Sequence, residues 1–516
     1  MPAGPLAAFR SAREPLTLFC KVLYNDRVTR PRSTQTVLFA VALGLLGDHL
    51  VRARLWGSNV TLGLIAVAGT AALLRWERRP GHADNRATWP WLAAAAFAAM
   101  WSLRDAPLLL GADLLAALAL SSLPLVPAAR LTGAGALETL AAPGRAAWHA
   151  AVGVFRLAPE LGPPARRVLA TSRVTSVAGG LLLALPAVLV FGALFASADP
   201  VFGAAVSSLI NADLRSLASH AVVTGVLSWA IAGYLWALAS PPRTYPIRQP
   251  QPGLSALAVL TILGAVALVF TAFVATQAGS LFGGEAFIRE RTGLTYAEYA
   301  RRGFFQMIVA SGLSLPLVYA APFVIGGAPE GREGLSLRSL LTLQLGLTAL
   351  VLLSALWRMG LYVRAYGLTE DRVYGTAVML WIGATIAVFA RTVLRGRPAG
   401  AAFGSVVAAA LLLGVLNLAN PQAFIARYNL AHPGPRGADV AHLARLGADA
   451  VPVLVSRLDQ VAPERRCALV TELVGRQAAP EGDWRGWSLA RARARRALEG
   501  IASFARACPG AAAGTN

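Results

Sequence analysis

The chain of 516 residues predicts an all-α, polytopic helical membrane protein of about eleven transmembrane helices with a small C-terminal helical domain, and three observations carry that expectation. Apolar residues make up 56% of the chain and charged ones 14%, with a mean hydropathy of +0.56. Soluble domains hold about 45–50% apolar and about 25% charged residues. The apolar residues also come in blocks, each long enough for the roughly 20 helical residues that cross a hydrocarbon core. Finally, the basic residues fall between those blocks.

That placement decides what the net charge of +21 means. Nucleic-acid binding wants a folded basic stripe with aromatic platforms, which this pattern does not supply. The expected partner is the lipid bilayer, with no nucleic acid. Lys21 is the sole lysine, so nearly all the basic charge is arginine. With the heavy alanine and glycine content, this associates the chain with a high-GC bacterial genome. About thirty polar and basic residues precede the first long apolar run, so no cleavable signal peptide is expected and the first span is retained.

In chain order, 1–33 is a basic cytoplasmic segment and 34–127 a first group of four spans, at 34–51, 55–74, 89–103 and 106–127. A basic loop, 128–173, follows, read as an ordinary cytoplasmic loop in preference to an interfacial helix. A second group of seven spans fills 174–418, at 174–197, 217–239, 254–277, 303–326, 336–357, 373–393 and 400–418. Trp89, Trp91, Trp101, Trp236 and Trp357 stand at span ends, where amphipathic rings suit headgroup depth. With flanking residues included, the N-terminal segment and even-numbered loops hold 23 Lys/Arg against 11 in the odd-numbered loops. The N-terminus is therefore expected inside and, with eleven spans, the tail outside.

Residues 419–516 read as a helical soluble tail. Asp439 and Asp449 are expected N-caps, and Gly447 and Gly475 expected stops. The apolar stripes comprise Leu443, Leu446, Leu454, Leu458, Leu469, Val470, Leu473, Leu498, Ile501 and Phe504. So small a helical unit buries only a modest core, and it is expected to dock on the spans or on a partner. Cys467 and Cys508 would pair if the tail is extracytoplasmic, but two unpaired thiols are the preferred reading. His432, Asp439 and His442 lack a further ligand at suitable spacing, so capping is preferred to metal binding.

Four strings carry a resemblance: SADPVF at 197–202, TYAEYARRGFFQ at 295–306, YGLTEDRVYGTAVMLW at 366–381, and NPQAFIARYNL at 420–430 followed by LARLGADAVPVL at 443–454. Together, over about residues 180–460, they resemble the bacterial membrane family called domain of unknown function forty-one seventy-three and its relatives. The resemblance implies a multi-span inner-membrane protein and supplies no activity, ligand or catalytic residue.

There is no Walker A loop, HExxH, GxSxG elbow or paired CxxC, and no cofactor, metal or catalytic residue is expected. Asp113, well inside its span, is a candidate proton or cation site; a structural, hydrogen-bonded aspartate is preferred. Asp48, His49, Asn417 and Asn420 lie at outer span ends. The odd-numbered loops would gather Asp199, Tyr296, Glu298, Tyr299, Arg301, Arg302, Glu370, Asp371 and Arg372 in one outer vestibule. Each string also has a local explanation: Asp199 before a proline at a span end, Thr295 with Glu298 as a capping box, and Thr369 as the cap of a helix whose first turn holds Glu370 and Asp371. The leading expectation is a non-catalytic envelope sensor, scaffold or regulatory component that binds a membrane or envelope protein through its tail. A proton- or ion-coupled transporter is the alternative, and a membrane-embedded enzyme acting on a lipid-linked substrate the third.

Overall fold

The computed structural model describes residues 33–76, 89–126, 136–157, 197–209, 212–239, 254–282, 303–325, 331–395, 400–433, 437–477 and 483–508, with a few single positions between 188 and 298. They are helical almost throughout, and eight of the helices among them are long and apolar enough to cross a membrane. The protein is an all-α integral membrane protein. Its long apolar blocks become helices because only a helix satisfies every backbone N–H and C=O within the segment in lipid.

The helices are α1 (Ser33–Val51), α2 (Ser58–Trp76), α3 (Trp89–Leu103), α4 (Pro107–Ser122), α5 (Ala136–Leu157), α6 (Pro200–Leu209) and α7 (Ala212–Ala239). Then come α8 (Ala256–Phe282), α9 (Phe304–Val324), α10 (Gly331–Tyr366), α11 (Glu370–Thr392) and α12 (Ala401–Ala419). The tail supplies α13 (Pro421–Ala431), α14 (Val440–Arg445), α15 (Val451–Ser456), α16 (Pro463–Gln477), α17 (Leu489–Glu499) and α18 (Ala502–Ala507). Ten of the eleven expected spans fall on helices whose ends agree to within a few residues, except that α10 overshoots its block at both ends; α4 runs on as a 3-10 turn to Leu125, and α2 and α3 are the two that are not among the eight. The expected span 174–197 lies mostly outside the described residues.

Two compact units divide the chain, each drawing on separated stretches. The first contains residues 1–95, 120–125 and 142–243. In it α7 packs on α2, and small residues bring helices close. A Cβ at Gly44 of α1 would fall 2.0 Å from Ser228 Oγ, and one at Gly233 of α7 only 2.2 Å from the His149 carbonyl of α5. Such backbone contact is how membrane helices gain packing without a hydrophobic driving force. An ordinary loop was expected over 128–173; the structure instead has the 22-residue helix α5 there. The reason is its apolar face, where Ala146, Val154 and Leu157 recur at helical spacing and pack on the α7 core.

The second unit contains residues 96–119, 126–141 and 244–516. Its 36-residue α10 packs against α8, α9 and α11, burying Leu341, Leu345, Val351 and Met359. At about 54 Å it outruns the roughly 30 Å hydrocarbon core, so its ends project beyond the apolar layer. The tail core of Ile425, Leu443, Val451, Leu454, Leu469 and Leu473 also takes in Leu368 from the α10–α11 turn. The tail is thereby continuous with the end of the bundle.

Several local expectations change. Cys467 and Cys508 are bonded, against the preferred unpaired reading, because α16 and α18 bring their Cα atoms to 5.2 Å. Asp439 caps α14 by accepting from the His442 amide, whereas Thr369 makes no side-chain cap to α11. Asp449 does not cap α15 either, its carboxylate being drawn to the ends of other helices. Gly475 lies inside α16 instead of ending it, and Phe504 is 37% exposed instead of lining the core.

Candidate functional site

Arg104, Asp105 and Ala106 alone join α3 to α4, so two apolar helices meet at one cation and one anion. Both are committed to the chain beyond the last span. The Arg104 guanidinium donates from Nη1 to Asp449 Oδ1 at 3.2 Å and from Nη2 to the Asn417 carbonyl. The Asp105 amide donates to Asp449 Oδ2 at 2.6 Å. Arg491 Nη1 donates to the Asp105 carboxylate and Arg491 Nη2 to the Gly486 carbonyl. With Asn420 Nδ2 donating to Asp449 Oδ1 at 3.2 Å, this one tail carboxylate accepts from three residues. Asp449 is 6% exposed, and burial pushes its carboxyl above the usual range against the pull of the Asp105 amide and Arg104.

Local sequence builds the tail's entry to this site. Asn420 has φ of 52°, a left-handed conformation that asparagine tolerates better than most residues. It ends α12 and, through Oδ1, accepts from the Ala423 amide to cap α13, whose first residue is Pro421. In α13, Gln422 Nε2 donates to Glu370 Oε1 at 2.8 Å. The tail closes over it at Gly447, where a Cβ would fall 2.7 Å from Gln422 Oε1 and 3.2 Å from the Asp105 carbonyl. At the far end of α13, Asn429 clamps the α10–α11 turn: its Oδ1 accepts from the Leu368 amide at 2.7 Å and its Nδ2 donates to the Leu368 carbonyl at 2.8 Å. Arg372 completes the turn, stacking on Tyr362 at 4.0 Å and donating to the Tyr366 and Gly367 carbonyls. The YGLTEDR and NPQAFIARYNL strings are therefore two halves of one clamp.

Asp113 lies deeper, six residues into α4 or about 9 Å from its start. It is fully buried, and its Oδ1 accepts from Asn417 Nδ2 at 2.7 Å. Asp113 Oδ2 and Asn417 Oδ1 have no protein hydrogen-bond partner, nor have Tyr374 Oη, Gln422 Oε1 and Arg104 Nε. Buried polar atoms without a protein partner bind a proton, water or small cation more readily than a satisfied network does. Among the described residues, no three His, Cys, Asp or Glu side chains are placed to hold a metal ion.

The profile of a family described as a domain of unknown function, DUF4153, matches residues 91–456, well over half of the chain. The chain belongs to this family. The expectation of an uncharacterised multi-span family holds, with DUF4153 as its designation in place of forty-one seventy-three. No curated protein and no solved structure matches. The DUF4153 match takes in α4, α10 to α13 and Asp449, and ends before α16 and α17. Arg491 and the disulfide thus lie outside the matched residues.

Of the vestibule candidates, the structure brings Asp113 and Glu370 into the polar cluster through Asn417 and Gln422. Arg372 serves the clamp, and Asp371 is exposed. Asp199, in the other unit, accepts from the Val201 and Phe202 amides and so caps α6. Glu298 is exposed, while Tyr296, Tyr299, Arg301 and Arg302 lie outside the described residues. Sequence reasoning missed Arg104, Asp105 and Arg491 as partners; the one available signal was a pair of opposite charges in a three-residue turn. It also missed His220 and Arg52 in the first unit, which both meet the carboxylate of Asp48.

Proposed function

We propose that this DUF4153 protein is a non-catalytic envelope component, a sensor, scaffold or regulatory subunit, whose helical tail is a binding surface held on the span ends. The observation that carries the reading is the ionic latch in which Asp449 accepts from Arg104, the Asp105 amide and Asn420. A latch at span ends gives occupancy of the tail a route to the spans. In this reading the tail lies outside the cytoplasmic membrane of a bacterium and the N-terminus inside. The Cys467–Cys508 disulfide supports that side, because structural disulfides persist in oxidising compartments. Photocrosslinking from the tail of the full chain in cells tests the reading. Asp449→Ala is expected to abolish the captured partner while the spans stay inserted; unchanged capture sinks the role of the latch.

The second reading, a proton- or ion-coupled transporter, is favoured by the fully buried Asp113 with one oxygen lacking a protein partner. Proton-driven flux lost in Asp113→Asn supports it, and flux indifferent to that change removes Asp113 from any pathway. No observation favours the enzyme reading, since Asp199 is taken up in helix capping and Asp371 is exposed.

A further inference from the structure

The tail carries two exposed tryptophans on one short turn. Trp484 is 57% and Trp487 44% exposed, and they flank Arg485 and Gly486 in the sequence Asp483–Trp487. The turn is well built. Asp483 caps it by accepting from the Arg485 amide at 3.0 Å, and the same carboxylate accepts from Arg485 Nε at 2.8 and 3.0 Å. Its rings are thus presented by a closed, hydrogen-bonded turn.

The position of the turn follows from one side chain. The Arg491 guanidinium donates from Nη1 to the Asp105 carboxylate and from Nη2 to the Gly486 carbonyl. A single planar group holds both, so Gly486 lies within two hydrogen bonds of the α3–α4 turn. That turn is the apex of an apolar helix pair, with α3 ending at Leu103 and α4 starting at Pro107. On either side of the apex Leu103 is 38% and Leu108 59% exposed, apolar surface of the kind that faces lipid. The boundary between hydrocarbon and headgroups therefore runs close to Asp105, and the two rings project from a backbone pinned beside it.

We propose that Trp484 and Trp487 form an interfacial anchor that seats the tail in the headgroup layer of the bilayer beside the α3–α4 apex. Indole suits that layer because it joins a large apolar body to one N–H donor. A bare aqueous surface would leave two large rings in water. The tail is then held twice, by its latch to the helices and by its rings to lipid. The anchor depends on the depth of the turn alone, so it stands whichever side of the membrane the tail occupies.

The test uses the full chain in nanodiscs of phosphatidylcholine and phosphatidylglycerol, with and without acyl-chain bromination. Subtracting the emission of the Trp484→Phe, Trp487→Phe double variant from that of the parent isolates these two rings among the 12 tryptophans. The expected difference emission is blue-shifted, quenched several-fold by brominated lipid and insensitive to aqueous iodide. Quenching by iodide alone overturns the anchor in favour of an aqueous surface, and quenching by neither overturns it in favour of burial against protein. Spin labels at Trp484→Cys and at Trp487→Cys, each in a Cys20→Ser background, give an independent reading. Their collisions with oxygen should exceed those with a water-soluble nickel chelate, while the exposed Arg476→Cys position shows the reverse; matching profiles at all three positions overturn the proposal.

Discussion

The two units handle a carboxylate in opposite ways. In the first, Asp48 at the end of α1 meets Arg52 Nε at 2.8 Å and the ring of His220, whose side chains are 31% and 47% exposed. In the second, Asp113 is wholly buried, and its protein hydrogen bond comes from an amide, Asn417. The residue type is the same, so depth makes the difference. A span end can recruit a cation that keeps part of its hydration, whereas a cation brought deep into the apolar layer pays a desolvation penalty that the pair seldom recovers. Asp449 falls between the two: it is as buried as Asp48 and also meets an arginine, but that arginine, Arg104 at a helix end, is only 17% exposed.

The largest expected effect tests that middle case. Asp449→Ala strands Arg104, the Asp105 amide and Asn420 together, and should cost about 3–5 kcal/mol of tail docking. A lowered thermal midpoint, with faster hydrogen exchange across 438–499, is the readout. Asp449→Asn should cost far less, because an amide oxygen still accepts. The acid response sharpens the point. The carboxyl of Asp449 sits above its unfolded value, so its stabilisation is full below about pH 4 and is lost as pH rises through the raised value. Hydrogen exchange over the tail should therefore slow between neutral and mildly acidic pH, once corrected for intrinsic rates, and Asp449→Asn should flatten that dependence.

Opening the Cys467–Cys508 bond with a reductant, or by changing both residues to serine, should destabilise α16 to α18 by about 2–4 kcal/mol, since it releases a loop spanning 41 residues. Limited proteolysis should then cut the tail with the spans intact. Loss of the spans as well would mean that the tail core supports the bundle and not only the reverse. A smaller effect is expected at Asp113→Asn, which keeps the shape and a hydrogen bond to Asn417 and should shift stability by no more than about 1 kcal/mol. A larger loss would show that the buried carboxylate is ionised and paired, erasing the contrast with Asp48. Smallest of all, Asp48→Asn should lower stability by about 0.5 kcal/mol or less, read from the thermal midpoint, with the difference shrinking in high salt, because its partners are partly exposed.

The lengths and places of the spans were legible because a helix in lipid must be apolar along one continuous stretch, and that requirement is local. Capping of α14 by Asp439 was legible for the same reason, since donor and acceptor lie three residues apart. The 128–173 region was misjudged because an amphipathic helix that packs on α7 has too much polar surface to look like a span. Asp449 was misjudged for a different reason. Its helix-cap signal is real in sequence, but its partners Arg104 and Asp105 are 345 and 344 residues away, and no local pattern records such a meeting.

By itself, then, the sequence determined the solvent, the helical class and most of the spans, and it singled out Asp113 as an ionisable group at membrane depth. Only the tertiary structure decided that Asn417 meets it, that the third and fourth family strings clamp one another, and that Cys467 and Cys508 meet. The physical reason is that burial in lipid is set residue by residue along a segment, whereas hydrogen bonds and disulfides depend on which span ends the folded bundle brings together.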